Sequence, residues 1–555
     1  MTDTHLEPTT WAPSTDPAPG VDPALVAACT ELLGADAVVS DPVLMREFRD
    51  PYSHASWTQH EPGLVVCPTT VEQVQELVRL AGRFDTPTWT ISQGRNNGYG
   101  GPAPRVPGSM VISLRGMNRI LELDEELAYA VVEPGVRFFD LYEEVQRRGL
   151  KLWPSIPDLG WGSIIGNAMD HGVGFTPLGD HPARSCGMEV VLADGSLVRT
   201  GMGAMPDNPT WALRKHGFGP HHEGMLMQSN LGIVTKMGCW LVPQPEYYVS
   251  AEVTVPRDED ISTLIDTVRP LLLDGTIQNS PIAYNVTLIA GAFSGVPRSH
   301  WYTGDGAVDD AAIEKMKAET GAGAWLMRFA LFGYEDVVSE QLARCTEAFA
   351  RIEGSRLTHR GFRGDEVVHQ LTALERPRPA DGPEGAVDRL RQQSDTTQAG
   401  IPSLDLLDNL SWDDHGVGGH LDYSPVTELD GARVLEQTRW LREECAGEGL
   451  DYAASLMIFP RACINIVSLW FNTADEAGTR QAYEFTGTLI ERGAERGFGA
   501  YRTHLEHMDR VAATYDWNDS ALARFNTRIK DALDPQGILS PGRSGIWGSR
   551  RAPQG

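Results

Sequence analysis

Residues 64–101 read LVVCPTTVEQVQELVRLAGRFDTPTWTISQGRNNGYGG. The unbroken apolar triplet Leu64, Val65, Val66 suits a buried strand. Thr69 and Thr70 then offer helix N-caps, with Gln73 placed to complete a capping box. Val71, Val74, Leu77, Val78 and Ala81 recur at helical spacing and form one apolar face. A second strand, Trp89 to Ile91, runs straight into GRNNGYGG, which carries Gly94, Gly98, Gly100 and Gly101. Four glycines in eight residues let a loop turn several backbone N–H groups toward one anion and let the backbone approach a diphosphate closely. The segment is neither a GxGxxG opening a helix nor a Walker loop with its lysine. Read alone, it describes a tight surface turn equally well.

Outward from this segment the pattern continues with strands around Met110 to Leu114 and Ala128 to Val132. A helix from Phe138 to Arg148 follows, stopped at Gly149. A hairpin is expected at Asp194 and Gly195. Two further glycine-dense stretches, Gly160 to Gly179 and QSNLGIVTK from Gln228, are able to wrap the rest of a large ligand. Residues 21–245 read as one α+β domain. Beyond Pro245 come strands at Ala251 to Val255 and Trp325 to Phe332 and helices at Asp336 to Ile352, Gly431 to Ala446 and Ala474 to Arg496. Two strands broken near Pro460 fill Leu456 to Phe471, so residues 246–498 read as a second α+β domain. Within it, Arg376 to Asp422 is too polar to assign and reads as a loop-rich insertion over a site. Residues 499–555 are too few for an independent core and are expected to return to the first domain. Residues 1–20, rich in Pro, Thr and Asp, read as a flexible tail.

The 555 residues are 41% hydrophobic and 22% charged, which excludes a chain-wide disordered or fibrous protein. Forty-seven basic against seventy-five acidic residues give a net charge of −28. That field repels nucleic acid and anionic lipid, and no basic patch interrupts it. No apolar run approaches the length of a membrane span, and the N-terminus lacks a secretory pattern, so a cytoplasmic protein is expected. The seven cysteines are scattered without CxxC spacing, as reduced thiols would be. Asp413, Asp414, His415, His420 and Asp422 are close in sequence but lack a metal-ligand spacing, so no metal is expected.

Taken in order, PTTVEQVQELVRLA, ISQGRNNGYGG, VVEPGV, PDLGWGSIIGNAMDHGVGFTPLGDH, GMEVVLADGSLVRTGMGA, QSNLGIVTK and DPQGILSPGRSGIW resemble the vanillyl-alcohol oxidase group of FAD-dependent oxidoreductases, over roughly residues 60–548. The resemblance implies a two-domain α+β fold, with an FAD domain made from the N-terminal half plus the C-terminal tail and a cap domain inserted between them. It implies that Ser92, Gly94, Arg95, Asn96, Asn97 and Gly98 hold the FAD diphosphate, with Gly166, Ile233 and Arg543 nearby. Tyr99, Tyr501 and Arg502 would bind a phenol, because a permanent cation and two hydroxyl donors stabilise a phenolate. Without the resemblance they read as two half-buried core tyrosines and a surface arginine.

By the same likeness Asp158, otherwise a turn former, stands beside the substrate's benzylic carbon as the catalytic carboxylate. His420 matches the histidine bonded to the flavin 8α-methyl, which requires a neutral imidazole. Some relatives attach flavin through tyrosine, and Tyr423 lies close by. A histidine assisting attachment would be His54 or His60. Phe175 replaces a tyrosine common in relatives, and Ala500 stands where some carry an acid. The implied reaction takes hydride from the benzylic or allylic carbon of a para-substituted phenol to flavin, through a para-quinone methide. Dioxygen would then take the electrons as hydrogen peroxide. A dehydrogenase using a cytochrome or other acceptor and a non-catalytic nucleotide-binding module are the alternatives. A homodimer is the default assembly.

Overall fold

The computed structural model describes residues 13–16, 19–372 and 379–553. Most of the expected N-terminal tail, residues 1–12 and 17–18, lies outside the described residues, as does Arg376 at the head of the unassigned interval. Helix Pro23–Leu33 begins at an Asp22 cap, where the expected tail gives way to structure.

The quoted segment folds as strand, helix, strand. Leu64–Val66 and Thr88–Ile91 lie parallel on either side of Met110–Ser113, and Val38–Val39 adds an antiparallel edge. Between the two outer strands runs helix Val71–Arg83, opened by the Thr70/Gln73 capping box. Its apolar stripe packs on Leu64, Val66, Met110 and Ile112, and the same core includes Ile538 and Leu539 from the far end of the chain. That end is stitched to the sheet edge. The Thr88 N–H donates to the Ile538 carbonyl at 2.7 Å, and Thr88 forms a parallel bridge with Leu539.

A second, antiparallel sheet runs in the order Ile120–Asp124, Tyr129–Val132, Ile233–Trp240, Ser185–Val191, Leu197–Arg199. Its last pair is the hairpin turned at Gly195, whose φ of 78° is the left-handed conformation a tight turn demands. Helix Phe138–Arg148 has the expected bounds and is closed by Gly149 in the left-handed conformation.

The third sheet has eight antiparallel strands, in the order Arg356–Arg363, Tyr247–Val255, Trp325–Gly333, Ile282–Asn285, Ala453–Ile458, Ala462–Asn472, Gly418–Tyr423, with Val426–Glu428 also paired to Ala462–Asn472. Helices Asp260–Leu273, Glu335–Phe349 and Gly431–Gly447 supply the core on one face; Val286–Phe293 and Ala386–Gln398 supply it on the other. Tyr247–Val255 is buried at every residue but the first, because a strand covered on both faces shows no polar alternation.

The interval Arg376 to Asp422 differs from expectation. It contains a 13-residue helix, Ala386–Gln398, and the strand Gly418–Tyr423. The helix escapes periodicity because its buried face is largely polar: Gln393, Ser394, Asp395, Thr397 and Gln398 are all enclosed. Their partners come from the sheet. Arg360 donates to Asp395 at 2.7 Å, and Arg328 donates to Thr397 Oγ1 at 2.8 Å. Among the described residues, no helix is long and apolar enough to cross a membrane.

The return of the chain to the first sheet is held by a buried ion pair. Lys530 and Asp534, 0% and 1% exposed, meet at 2.7 Å. The Lys530 ammonium also donates to the carbonyls of Asn230 and Leu539, while Asp534 accepts the N–H groups of Ile538 and Leu539. Burial pulls the ammonium below its ordinary range, and Asp534 opposes that pull. Replacing Lys530 by Met leaves a buried carboxylate uncompensated, so Lys530→Met is expected to cost about 3–5 kcal/mol. Urea unfolding followed by tryptophan fluorescence should show the lowered midpoint, with Lys530→Met/Asp534→Asn recovering part of the loss.

Candidate active site

All four glycines of the loop after Ile91 have left-handed backbones, with φ of 64°, 74°, 98° and 56° at Gly94, Gly98, Gly100 and Gly101. Side chains are strained there, so the glycines are required by conformation. Gly98 is also required by space: a Cβ would lie 2.4 Å from Asp422 Oδ2 and 2.8 Å from His420 Cε1. The loop therefore rests directly on the strand Gly418–Tyr423. A second close approach pairs Gly166 with Ser92, whose Oγ would sit 2.3 Å from an added Cβ.

These contacts border a cavity of about 380 Å3 between the first and third sheets. Ser92, Gly94, Arg95, Asn96, Asn97, Gly166, Ile233 and Arg543 line it, as do Tyr99, Asp158, His420, Tyr501 and Arg502. Gly98 stands behind the lining, against His420. The cavity thus brings together residues separated by more than 400 positions. At the loop end, Arg543 is paired with Asp170, which also accepts from Asn96 Nδ2 at 3.3 Å. Arg95 lies over the Trp161 ring at 5.1 Å. A glycine cradle with arginines and an aromatic wall fits a dinucleotide diphosphate and its flat rings.

Arg502 lies 4.0 Å from the centre of the Tyr99 ring and 5.8 Å from that of Tyr501. Ser424 organises both tyrosines. Its Oγ is 3.0 Å from the Tyr99 hydroxyl, and its carbonyl accepts the Tyr501 N–H. Burial pushes the Tyr99 phenol well above the ordinary range, with Arg502 offsetting part of the rise. For Arg502, burial opposes the charge, but the oxygens of Tyr99 and Tyr501 outweigh it and the guanidinium is held above its usual range. Its Nε is buried without a hydrogen-bond partner among the described residues. The arginine is half-buried within a wall of tyrosines, unlike the surface arginine its isolated reading suggests.

Asp158 is held by two donors on the same oxygen: Arg328 Nη2 at 2.8 Å and Gln393 Nε2 at 2.7 Å. Arg328 is 1% exposed and stacks at 4.0 Å on the ring of Phe175. Phe175 is thus the platform for the arginine that holds Asp158.

His420 and Asp422 are two apart on one strand and share a face, so Nδ1 of the histidine meets Asp422 Oδ1 at 3.1 Å. Ser468 donates to the same carboxylate oxygen at 2.8 Å. Tyr52 packs its ring 5.0 Å from the imidazole. It is anchored through Asp50, which takes the Tyr52 N–H, the Tyr483 hydroxyl and His504 Nε2. Burial alone would raise the Asp50 carboxyl, but His504 and the hydrogen bonds bring it down to about 2. Tyr423, three positions from His420, points the other way, into a cluster with Trp440 and Phe485. Neither histidine considered as a helper is brought to the cavity: His60 is engaged by Glu506 at 2.7 Å and His54 by Ser56 at 2.8 Å.

Arg328, Gln393, Ser424 and Tyr52 were not singled out by sequence, and Asp422 was weighed only as a metal ligand. Two left a signal. Arg328 is a lone charge within the apolar strand WLMRFALFG, and Asp422 has the i+2 spacing that puts it beside His420.

Residues 62–201 match the family described as FAD binding domain, and residues 435–544 match the C-terminal domain of FAD linked oxidases. The chain is 34% identical to the flavoprotein subunit of 4-cresol dehydrogenase (hydroxylating) from Pseudomonas putida, over 93% of this chain and 94% of the relative. The structure of 4-ethylphenol oxidase from Gulosibacter chungangensis, in complex with isoeugenol, superimposes with a TM-score of 0.89 at 35% identity, covering 96% of this chain and 100% of that one. That of p-cresol methylhydroxylase with substrate bound gives 0.87 at 32%, covering 95% and 98%. A two-domain fold shared along nearly its whole length, with an FAD-binding domain and a glycine cradle shaped for a dinucleotide, has one consistent assignment: the chain belongs to the vanillyl-alcohol oxidase and p-cresol methylhydroxylase family of FAD-dependent oxidoreductases.

Proposed function

We propose that this oxidoreductase removes two electrons and a proton from the benzylic or allylic carbon of a para-substituted phenol. The observation that carries the reading is the shared cavity: Arg502 against two tyrosines, the glycine cradle from which Tyr99 projects, and a clamped Asp158 all line it. In this reading residues 21–245 and 499–555 form the cofactor unit and 246–498 the cap. FAD, held by Ser92, Gly94 to Gly98, Gly166, Ile233 and Arg543, supplies the two-electron chemistry.

The protein's own work begins with the phenol oxygen. Arg502 and the hydroxyls of Tyr99 and Tyr501 favour the phenolate, which pushes electron density through the ring toward the para carbon. Oxidation there leaves a para-quinone methide. Asp158, with Oδ1 taken by Arg328 and Gln393, presents Oδ2 to the benzylic carbon. There it stabilises developing positive charge or accepts a proton from water or from a side-chain hydroxyl. Water addition, proton loss or collapse of an alcohol then gives an alcohol, an alkene or a carbonyl product. His420 donates Nδ1–H to Asp422, which leaves Nε2 with its lone pair as the atom for covalent attachment to the flavin 8α carbon.

Dioxygen is the final acceptor in this reading, giving hydrogen peroxide. Similarity to 4-cresol dehydrogenase supports, as the second reading, a dehydrogenase that passes electrons to a cytochrome or other acceptor. Peroxide formation in air at the rate of turnover supports the first; reoxidation much slower than turnover supports the second.

Arg502→Met removes a charge-assisted hydrogen bond to the phenolate and is expected to weaken binding of 4-chlorophenol, which has no benzylic C–H bond to oxidise, about 10- to 100-fold, the equivalent of about 1.5–3 kcal/mol. Anaerobic titration of flavin absorbance measures it, and an unchanged dissociation constant rejects the clamp. For the covalent bond, acid precipitation should leave a yellow pellet with the parent protein and a yellow supernatant with His420→Ala. Colour lost from the parent protein excludes covalent attachment.

A further inference from the structure

A second cavity, of about 280 Å3, adjoins the first: it shares the clamp residues Tyr99, Tyr501 and Arg502 with it, and on the loop side Asn96, Asp170 and Arg543. Apart from the shared residues, its wall is mostly apolar: Leu505, Met508 and Val511 on one side, Leu522 and Ala523 of helix Trp517–Leu533 on the other. At the outer end Tyr515 and Leu522 are 45% and 52% exposed; at the inner end Tyr99 is 5% exposed. The cavity therefore runs from solvent to the clamp. Helix Trp517–Leu533 rests lightly over it, with Lys530 as its buried residue. Asn518, Asp519 and Ser520 hold left-handed backbones at the helix's start, a conformation that side chains adopt only at a cost.

In the reading above the cofactor lies along the glycine cradle of the first cavity, beside the exposed Arg95. A substrate bound for Arg502 needs a way in that avoids that edge. The second cavity offers one whose walls suit a neutral aromatic ring: apolar surface along the path and, at its end, a guanidinium whose Nε lacks a hydrogen-bond partner among the described residues. A charged acid would lose its hydration along such a path without gaining a partner until the end.

We infer that the second cavity is the passage by which uncharged para-substituted phenols reach the clamp from solvent, with Tyr515 and Leu522 at its mouth and helix Trp517–Leu533 as its roof. The inference rests on the phenol-clamp reading.

A passage changes rates without changing affinity, and that separates it from a binding contact. The probe is 4-chlorophenol, whose para position carries no C–H bond, mixed anaerobically with the FAD-loaded protein in a stopped-flow instrument while flavin absorbance is followed. Ala523→Trp, which narrows the cavity, is expected to slow association and dissociation alike by about fivefold or more, with the dissociation constant held within about twofold. Leu522→Ala, which widens the mouth, is expected to speed both. Association within about twofold of the parent in both variants overturns the passage and assigns access to the side of the first cavity lined by Leu406 and Leu407. A changed dissociation constant with unchanged association overturns it as well. A parent protein that gives no response to 4-chlorophenol overturns the clamp reading, and the passage falls with it.

Discussion

At Gly98 the glycine-rich loop and the strand Gly418–Tyr423 of the third sheet touch with no side chain between them. The missing Cβ is what lets His420 and Asp422 reach the loop, and the left-handed backbone at the same residue turns the chain back along the cavity. Everything at the site depends on that contact. It fixes the distance between the glycine cradle and the face of the cap that carries His420, and Ser424, further along the same chain, sets Tyr99 and Tyr501. The site is thus built across an interface, with neither unit holding a complete set of groups.

The charges at the site follow a division of labour within a strongly acidic chain. Arg543 and Arg328 each face a carboxylate, Asp170 and Asp158, and so act chiefly as fixed supports. Arg502 faces aromatic rings instead. A guanidinium against the faces of two tyrosines keeps most of its charge available to a third group, which is what recognition of an ionised phenol asks of it. Asp158 is placed differently from a free surface carboxylate: both of its donors bind one oxygen, and one of them is backed by the ring of Phe175.

What was legible in the sequence was local or carried by resemblance. The capping box at Thr70, the stripe from Val71 to Ala81, the turn at Gly195 and the end of the helix at Gly149 each obey rules spanning a few residues. The resemblance named the residues that line the cavity. Hidden from both were the supports whose partners are distant in sequence. Arg328 reaches Asp158 across 170 positions and Gln393 reaches it across 235. Helix Ala386–Gln398 was illegible for a related reason: its buried face is polar and is satisfied by arginines from the sheet, so no apolar period marks it. Hydrophobic patterning locates surfaces that avoid water, and it is silent about buried groups that carry their own partners.

The bridge between Thr88 and the residues around Leu539 also sets an order of events. Some 450 positions separate the two sides of that junction. At about 5–20 residues per second, a ribosome that has made the edge strand needs roughly 20 to 90 seconds to deliver the segment that completes it. The whole third sheet emerges in that interval. The loop therefore waits with its edge uncovered while the cap is synthesised, and the compartment for the cofactor closes only after both are in hand. Loading of the prosthetic group is in this sense a late step, performed on a chain whose final turns have come back to where the fold began.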